Sequence, residues 1–385
     1  MVANGALDGL RVVELATLFA APLIGTMLGD LGADVVKIEP PEGDPMRTMG
    51  ASRDGHSLVW AYVARNKRSV VADFGSPDGL AAVHALIEVA DVVIFNQPQT
   101  VLSKWRCTYD EISRHNPRAV VVEMSGYGHD GPFGGLPANG TMSEAFGAVA
   151  SMIGEPDGPP TLPSFPLGDT TAAWQGVMGV LAACYARDAR GGTGQLIDLA
   201  MYEPILALLA TSAVAWNPGE PPPHRNGSRV HGGVPRNCYR TADDHHVVVS
   251  GPTDAQVSRI LQLIGRSTPD DLARFGRSEQ RLANADELDS LVAAWVSTQT
   301  ADRVIAALTE ARIPVSPAND LADVFAHPQV QHRQSLRRFH DPVVGDVTMP
   351  GPLPGLVATP PTIRTPAPPL GAHTAEVRRN WLGTS

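Results

Sequence analysis

Short runs of β-branched residues recur through the first third of the chain, and they constrain its fold more than any other feature. They lie at Arg11–Leu15, Asp34–Ile38, Ser69–Ala72, Asp91–Phe95 and Ala119–Glu123. Helix-compatible stretches alternate with them at Pro22–Leu31, Pro77–Val89 and Thr100–Arg114. This alternation predicts an α/β fold, in which βαβ units build a parallel sheet buried on both faces. Because ligands of such sheets bind beyond the carboxyl ends of the strands, the segments that follow each strand are the first candidates for a site.

The pattern of predicted strands and helices changes in the second half of the chain. A long helix is predicted from Thr170 to about Arg187, and the proline-rich Pro218–His224 is typical of a linker. Asn237–Arg240 and His246–Ser250 predict a β-hairpin. We therefore expect a large domain over residues 1–220, a smaller α+β domain over 225–320, and a proline-rich segment over 321–385. That segment is interpreted as a strap on the domain surface, with a proline-rich ligand for a partner domain as the alternative.

Composition and missing motifs exclude several classes of protein. Lys and Arg total 30 against 40 Asp and Glu, a net charge of −10, which argues against a non-specific nucleic-acid binder. The three cysteines lie far apart, which is typical of a reducing cytoplasm. The longest apolar run, Ile205–Trp216, is too short for a membrane span of about 20 residues. No GxGxxG follows the first strand, and there is no Walker A, HExxH or GxSxG motif. We expect a cytoplasmic protein with no metal, no nucleic-acid partner and no membrane partner.

Two features are candidates for chemistry. Basic residues follow or precede several predicted strands, and they either line a pocket for an anionic ligand or form ordinary solvated surface; they are Lys37, Arg47, Arg65, Lys67, Arg68, Lys104 and Arg106. Asp169 stands at the head of the predicted long helix, directly after Gly168. Its carboxylate is either an N-cap, which accepts a backbone N–H of the first turn, or a nucleophile that a substrate approaches past the glycine.

Motifs along the whole chain resemble the class III CoA-transferase family, the carnitine and bile-acid (CaiB–BaiF) group that also includes formyl-CoA transferase and α-methylacyl-CoA racemase. Each is weak alone, and together they are specific. They are Asp8-Gly-Leu-Arg-Val-Val-Glu-Leu15, Gly29-Asp-Leu-Gly-Ala-Asp-Val-Val-Lys-Ile-Glu-Pro40, Asn66-Lys-Arg-Ser69, Ser125-Gly-Tyr-Gly128, Asp130-Gly-Pro132, Gly168-Asp169, Gly194-Gln-Leu-Ile-Asp-Leu-Ala-Met-Tyr202, Pro314-Val-Ser-Pro-Ala-Asn-Asp-Leu321, His327-Pro-Gln-Val330 and Leu370-Gly-Ala-His-Thr374.

The resemblance implies a Rossmann-like large domain to which the C-terminal segment returns, a small inserted domain, and two chains interlocked as a homodimer. It implies that CoA or acyl-CoA is a substrate and that no cofactor is tightly bound. By position, the family's CoA contacts fall on Thr17, Leu18, Ala20, Lys37, Arg47, Lys67, Arg68, Asn96 and Lys104.

The resemblance also places the family's catalytic aspartate on Asp169. The implied reaction moves CoA from an acyl-CoA donor to a carboxylic acid acceptor through an aspartyl anhydride and an aspartyl-CoA thioester. Two alternatives stay open. One is an acyl-CoA racemase or epimerase, and the other is a non-catalytic acyl-CoA-binding protein.

Two positions depart from the family pattern. The usual Asn-Phe-Arg-Pro-Gly is here Asn96-Gln-Pro-Gln-Thr100, and the racemase histidine falls on Asn139, which cannot shuttle a proton near neutral pH. Racemase therefore ranks below transferase. Arg229, His231 and Arg236 are a further hypothesis, since they could hold the second carboxylate of a dicarboxylic acid.

Overall fold

The computed structural model describes residues 5–230 and 232–384, and its contacts divide the chain into two compact units. The first unit comprises the chain up to Ala150, Leu162–Ala210 and the chain from Gln331 onward. The second comprises Ser151–Thr161 and Thr211–Val330. The second unit thus begins after residue 210 and ends at residue 330, whereas the expected limits of the small domain were near 220 and 320. The sequence did not indicate that residues 151–161 belong to the second unit.

The strands and helices alternate in the first unit as the sequence predicts. The strands are β1 (Arg11–Glu14), β2 (Asp34–Glu39), β3 (Ser52–Arg53), β4 (His56–Ser57), β5 (Lys67–Val71), β6 (Val92–Phe95), β7 (Val120–Ser125), β8 (Leu196–Ala200), β9 (Arg236–Arg240), β10 (His246–Ser250), β11 (Val315–Pro317), β12 (Leu336–Asp341) and β13 (Gly345–Pro350). The helices are α1 (Ala20–Asp30), α2 (Leu58–Val63), α3 (Pro77–Glu88), α4 (Gln99–Trp105), α5 (Tyr109–His115), α6 (Gly140–Phe146), α7 (Val149–Met152), α8 (Leu167–Ala189), α9 (Tyr202–Leu208), α10 (Ala210–Ala215), α11 (Asp254–Leu263), α12 (Pro269–Phe275), α13 (Ser278–Ala283), α14 (Ala285–Val296), α15 (Ala301–Glu310), α16 (Leu321–Ala326), α17 (Pro328–Arg333) and α18 (Thr374–Val377).

A six-stranded sheet with the order β5-β2-β1-β6-β7-β8 forms the centre of the first unit, and all of its strand pairs are parallel. The chain builds outward from β1 to β5 on one side, then crosses over to β6 and builds outward on the other. This is the order of doubly wound nucleotide-binding folds, whose ligands bind where the direction of winding reverses. That point lies between β1 and β6.

Both faces of this sheet are buried, as the runs of Val and Ile predict. Val12 on β1 packs into the core on one face with Ile24 of α1 and Val180 of α8, whereas Val13 packs into the core on the other face with Leu86 of α3. The helix predicted over Thr100–Arg114 is divided into α4 and α5, because Arg106 adopts a left-handed conformation with φ 54°.

The C-terminal segment covers the edge of the sheet at β5. The N–H of Ser69 donates to Nδ1 of His373 at 3.3 Å, and the N–H of His373 donates to the carbonyl of Ser69 at 3.0 Å. The N–H of Val71 donates to Oγ1 of Thr374 at 3.2 Å. An uncovered edge strand would present these groups for unwanted pairing. The motif Leu370–Thr374 therefore protects this edge.

The second unit has a core of its own beneath a three-stranded antiparallel sheet of order β11-β10-β9. Pairing of β9 with β10 confirms the predicted hairpin. The sequence did not predict β11, nor the antiparallel β12–β13 hairpin in the proline-rich segment of the first unit. Within the described part of the chain, no helix is long and apolar enough to cross a membrane.

Candidate active site

Asp169 lies in the first turn of α8, which begins at Leu167 with Pro166 as its N-cap. The helix therefore starts earlier than predicted, and the interpretation of Asp169 as the N-cap is wrong. A carboxylate in the first turn lies near the positive end of the helix dipole. This position favours the charged form of Asp169 without using its side chain as the cap.

The carboxylate of Asp169 lies directly against the backbone of Gly140, the first residue of α6. A Cβ atom at position 140 would lie 2.3 Å from Oδ2 of Asp169 and 2.6 Å from its Cγ. Gly168 is equally confined, since a Cβ there would lie 2.5 Å from the carbonyl oxygen of Gly140. Two glycines far apart in sequence thus let the first turns of α6 and α8 approach each other closely.

Glu144 lies one turn beyond Gly140 on α6 and faces the same helix start. Its side chain is buried, with 3% exposure, and its Oε1 accepts the N–H of Gly168 at 2.9 Å. The first N–H groups of a helix have no partner within the helix, and Pro166 provides no side-chain acceptor. Glu144 therefore caps α8 from a neighbouring helix.

The surroundings of Asp169 raise its pKa. Burial is the largest cause, and the negative charge of Glu144 acts in the same direction. The backbone N–H groups of Asp169 and Gly140 oppose the rise by stabilising the carboxylate. The result is a poorly solvated carboxylate held by backbone donors, an arrangement suited to a nucleophile that must work without competition from water.

Asn139, which occupies the position of the racemase histidine, is the N-cap of α6. Its Oδ1 accepts the N–H of Met142 at 3.2 Å. The side chain therefore has a structural function at the start of the helix that presents Gly140 to Asp169. This is the ordinary function of Asn at a helix start.

The loop after β1 brings three of the predicted CoA-binding residues together at the point where the winding reverses. Oδ1 of Asn96 accepts the N–H of Thr17 at 3.0 Å, and its Nδ2 donates to the carbonyl of Thr17 at 2.8 Å. Leu18 has a positive φ of 68°, donates its N–H to Oδ1 of Asp44 at 3.2 Å, and is 41% exposed. Ala20, at the first residue of α1, is buried. The loop is thus fixed from two sides of β1, with Leu18 facing solvent.

The altered segment after β6 takes part in the same network. Nε2 of Gln97 donates to the carbonyl of Leu15 at 2.8 Å, and its Oε1 accepts the N–H of Asn96 at 3.2 Å. Nε2 of Gln99 contacts Glu123 and lies 3.0 Å from Nδ1 of His129. These glutamines therefore bind neighbouring protein groups at the ligand edge of the sheet.

Lys37 and Lys67 lie beneath the loop, not on its surface, and are only 1% and 2% exposed. Both ammonium groups bind the fully buried Glu14, at 3.0 Å from Oε1 and 2.8 Å from Oε2 respectively. Lys37 also donates to the carbonyl of Ala16 at 2.8 Å. Burial lowers the pKa of Lys67 to about 8. Since neither ammonium group reaches solvent, their assignment as ligands of the CoA phosphates is corrected: they hold the loop in place.

The remaining predicted cations are divided between paired and exposed positions. Arg47 binds Glu39 at 2.8 Å and lies over the ring of Trp60, 4.1 Å from its centroid. Arg68 binds Asp34 and Glu376 through its guanidinium group. Both arginines are partly exposed, whereas Lys104 is exposed in the last turn of α4. An anion that bound either arginine would share it with a carboxylate; Lys104 has no such partner among the described ion pairs.

The hypothesis of a basic cluster in the second unit is also corrected. Arg229 binds both Asp286 and the buried Asp289. Arg236 donates to the carbonyl of Ser228, and His231 lies outside the described residues. Because two carboxylates already neutralise Arg229, it is not available to receive a third from a substrate.

A cavity lies beyond the carboxyl ends of β7 and β8, at one of the segments that follow a predicted strand. Its volume is about 400 Å³. Residues of the segment that follows β7, from Tyr127 to Phe133, form one side of it. Its lining includes four aromatic rings and three carboxylates, namely Tyr127, Phe133, Phe146, Tyr202, Asp130, Asp198 and Glu203. Among the described residues there is no group of three side chains suited to hold a metal ion.

The sequence of this chain matches the family model for CoA-transferase family III over residues 7–374. The chain belongs to CoA-transferase family III. A relative from Chloroflexus aurantiacus, succinyl-CoA–D-citramalate CoA-transferase, is 34% identical over 379 residues, covering 98% of this chain and 94% of that protein. Succinate–glutarate CoA-transferase from Agrobacterium fabrum is 32% identical, covering 96% of this chain and 94% of that protein.

Structural similarity agrees with the sequence. The crystal structure of a CAIB/BAIF family protein from Brucella suis matches with a TM-score of 0.83 and 30% identity, covering 98% of this chain and all of that one. Membership of CoA-transferase family III makes this chain an enzyme of that class. The alternative of a non-catalytic acyl-CoA-binding protein is therefore set aside.

Proposed function

We propose that this enzyme transfers CoA from succinyl-CoA to a short dicarboxylic acid, with Asp169 as the nucleophile. The observation that carries the proposal is the seating of the Asp169 carboxylate against the backbone of Gly140, in a site that raises its pKa. The relatives named above act, by their names, on D-citramalate, succinate and glutarate, all of which are dicarboxylates.

The chemistry balances without a cofactor. A carboxylate oxygen of Asp169 attacks the thioester carbon, a C–O bond forms, the C–S bond breaks, and CoA leaves as the thiolate. The thiolate then attacks Cγ of Asp169, which forms an aspartyl-CoA thioester and releases succinate as the carboxylate. The acceptor acid repeats both steps in reverse and restores the Asp169 carboxylate. One thioester is made for each one broken.

The residues around Asp169 supply what this reaction needs. Attack by a carboxylate is slow unless the nucleophile is desolvated and held in position. Burial desolvates Asp169, and the backbone N–H of Gly140 holds it. Asp169 loses its negative charge as the anhydride forms. Because the nearby negative charge of Glu144 repels the charged Asp169, it favours formation of the anhydride.

For CoA we propose a site at the point where the sheet winding reverses. Its support is the fixed loop of Thr17, Leu18 and Ala20, held by Asn96, with the partly exposed guanidinium group of Arg47 and the exposed Lys104 available to phosphates. Arg68 does not contribute, because it pairs with Asp34 and Glu376 at the amino-terminal end of β5. The double mutant Arg47→Gln, Lys104→Gln should weaken CoA binding, measured by calorimetry, and the loss should shrink as salt is added.

We also propose that two copies of the chain form the interlocked homodimer expected of the family. The long helix α8 carries exposed apolar side chains at helical spacing, namely Trp174, Met178, Leu181 and Tyr185. Trp174→Glu should increase the fraction of monomer measured by light scattering. If the double mutant Trp174→Glu, Tyr185→Glu has the same fraction of dimer as the wild type, this face of α8 is not the interface.

Intact mass spectrometry of the enzyme mixed with succinyl-CoA and trapped with hydroxylamine or borohydride tests the proposal. We expect a modification at Asp169 in the wild type and none in Asp169→Asn, which keeps the shape and removes the nucleophile. Labelling at another residue, or turnover by Asp169→Asn at more than about a thousandth of the wild-type rate, would refute the covalent mechanism. Deuterium uptake at the α-carbon without a free acid would identify a racemase.

A further inference from the structure

Helix α6 presents two residues to the first turn of α8 from a single face. Gly140 and Glu144 are four residues apart, which places them one above the other on the helix. Gly140 contacts the carboxylate of Asp169, and Glu144 contacts the N–H of Gly168, the residue before it. The same short helix thus touches the nucleophile and the backbone that carries it.

From this geometry we infer that Glu144 is a positioning residue of the aspartyl site. It fixes the first turn of α8, and its negative charge makes the electrostatic potential at Asp169 more negative. The inference rests on the proposed function of Asp169. Two properties carry it. Glu144 is enclosed, with 3% exposure, so its hydrogen bond to Gly168 has no competition from bulk water. It also takes the place of a cap that Pro166 cannot provide.

The electrostatic effect of Glu144 has a definite direction. It is the charged side chain that acts on Asp169 from the elements packed around it, and within the described residues no cationic side chain offsets it. Burial and the charge of Glu144 both raise the pKa of Asp169. Attack on the thioester moves charge from Asp169 to the leaving thiolate, which relieves the repulsion. The carboxylate of Glu144 thus destabilises the resting state relative to the anhydride.

Two substitutions separate the charge from the hydrogen bond. Glu144→Gln keeps an acceptor for Gly168 and removes the charge. Glu144→Asp keeps the charge and, being one methylene shorter, withdraws the oxygen from Gly168. Glu310→Gln, at an exposed position on α15, removes a charge far along the chain and serves as the control.

The readout is the rate at which succinyl-CoA labels Asp169, measured by rapid quench and intact mass across pH, with folding checked by circular dichroism. In Glu144→Gln we expect the acidic limb of the profile to move to lower pH. We expect the plateau to fall, because the charge that destabilises the resting carboxylate is lost, but by no more than about threefold, because the amide oxygen still accepts the N–H of Gly168. In Glu144→Asp we expect the limb to stay in place and the plateau to fall about tenfold or more, because misplacing the reacting groups by about 1 Å costs up to about a hundredfold.

The outcomes separate this inference from the function on which it rests. A wild-type enzyme that labels Asp169, together with a Glu144→Gln profile that matches the wild type and Glu310→Gln, overturns the role of Glu144 and leaves the proposed function in place. Failure of the wild type to label Asp169 overturns both. If Glu144→Gln does not fold, Glu144→Asp decides: an unchanged plateau refutes the positioning role.

Discussion

A methyl group at position 140 tests whether Asp169 reacts from the place that it occupies. Gly140→Ala adds a Cβ that would lie 2.3 Å from Oδ2 of Asp169. Ordinary contact begins near 3.4 Å, so the carboxylate or the start of α6 must move by about 1 Å. Gly140 does not require a positive φ, and alanine is a better helix former than glycine. The substitution therefore acts mainly through this collision.

A displacement of this size has a large expected effect on the rate. Misplacing reacting groups by about 1 Å costs up to about a hundredfold in kcat, which corresponds to about 2.7 kcal/mol of activation free energy. The cost to the free energy of unfolding is about 1–3 kcal/mol, as for other overpacked sites. CoA affinity should change little, because the loop at Thr17 and Asn96 is not part of the collision.

The assay combines steady-state transfer from succinyl-CoA, labelling of Asp169 in a single turnover, and CoA affinity by calorimetry. Gly355→Ala is the matched control, because a Cβ at that position has no neighbour within 4 Å. We expect a loss of about a hundredfold in kcat and in labelling for Gly140→Ala and none for the control. A folded Gly140→Ala enzyme with kcat within threefold of the wild type would refute the argument that Asp169 reacts from its contact with Gly140.

Three further substitutions test the elements that support the site. Glu14→Ala leaves the ammonium groups of Lys37 and Lys67 buried without their shared carboxylate, and should lower the free energy of unfolding in urea by about 3–5 kcal/mol; a loss below about 1 kcal/mol would contradict their pairing. Asn66→Ala removes hydrogen bonds to Asp30 and to the carbonyl or N–H groups of residues 362, 364 and 365, and should cost about 3 kcal/mol in the same assay. The pKa of Asp169 is raised in the folded protein, so its carboxyl binds a proton more tightly there than in the unfolded chain. The free energy of unfolding of the wild type therefore falls as the pH rises from the ordinary pKa of 3.8 through the raised pKa. Asp169→Asn should therefore unfold at a higher temperature than the wild type above that window and lose the advantage below it, and equal melting temperatures at all pH values would contradict the shift.

The local sequence predicts the elements of the sheet well because burial on both faces demands apolar residues at every position. The run around Val12 and Val13 reads as a strand for this reason, and the structure confirms it. The local sequence predicts the breaks between consecutive helices less well. Arg106 takes a left-handed conformation that its residue type does not announce, so one predicted helix became α4 and α5.

Charge was a poor guide to exposure. Lys37 and Lys67 read as surface cations next to strand ends, yet Glu14 pairs with both in the interior. An isolated buried ammonium group is costly, but a buried carboxylate between two of them makes the arrangement stable. The partner lies on another strand, so only the pairing of strands reveals it. The same reason applies to Arg229, because its partners Asp286 and Asp289 lie on a helix distant in sequence.

The sequence by itself determined the family, the alternation of strands and helices, and the identity of Asp169 as the candidate nucleophile, because these depend on residue types and on their order. Only the tertiary structure decided what surrounds that carboxylate. Gly140 and Glu144 reach Asp169 because α6 packs on the first turn of α8, and the distance between their positions in the chain carries no sign of this contact. Reactivity depends on burial and on neighbouring charge, which are properties of packing, and packing is set by elements that the chain brings together from afar.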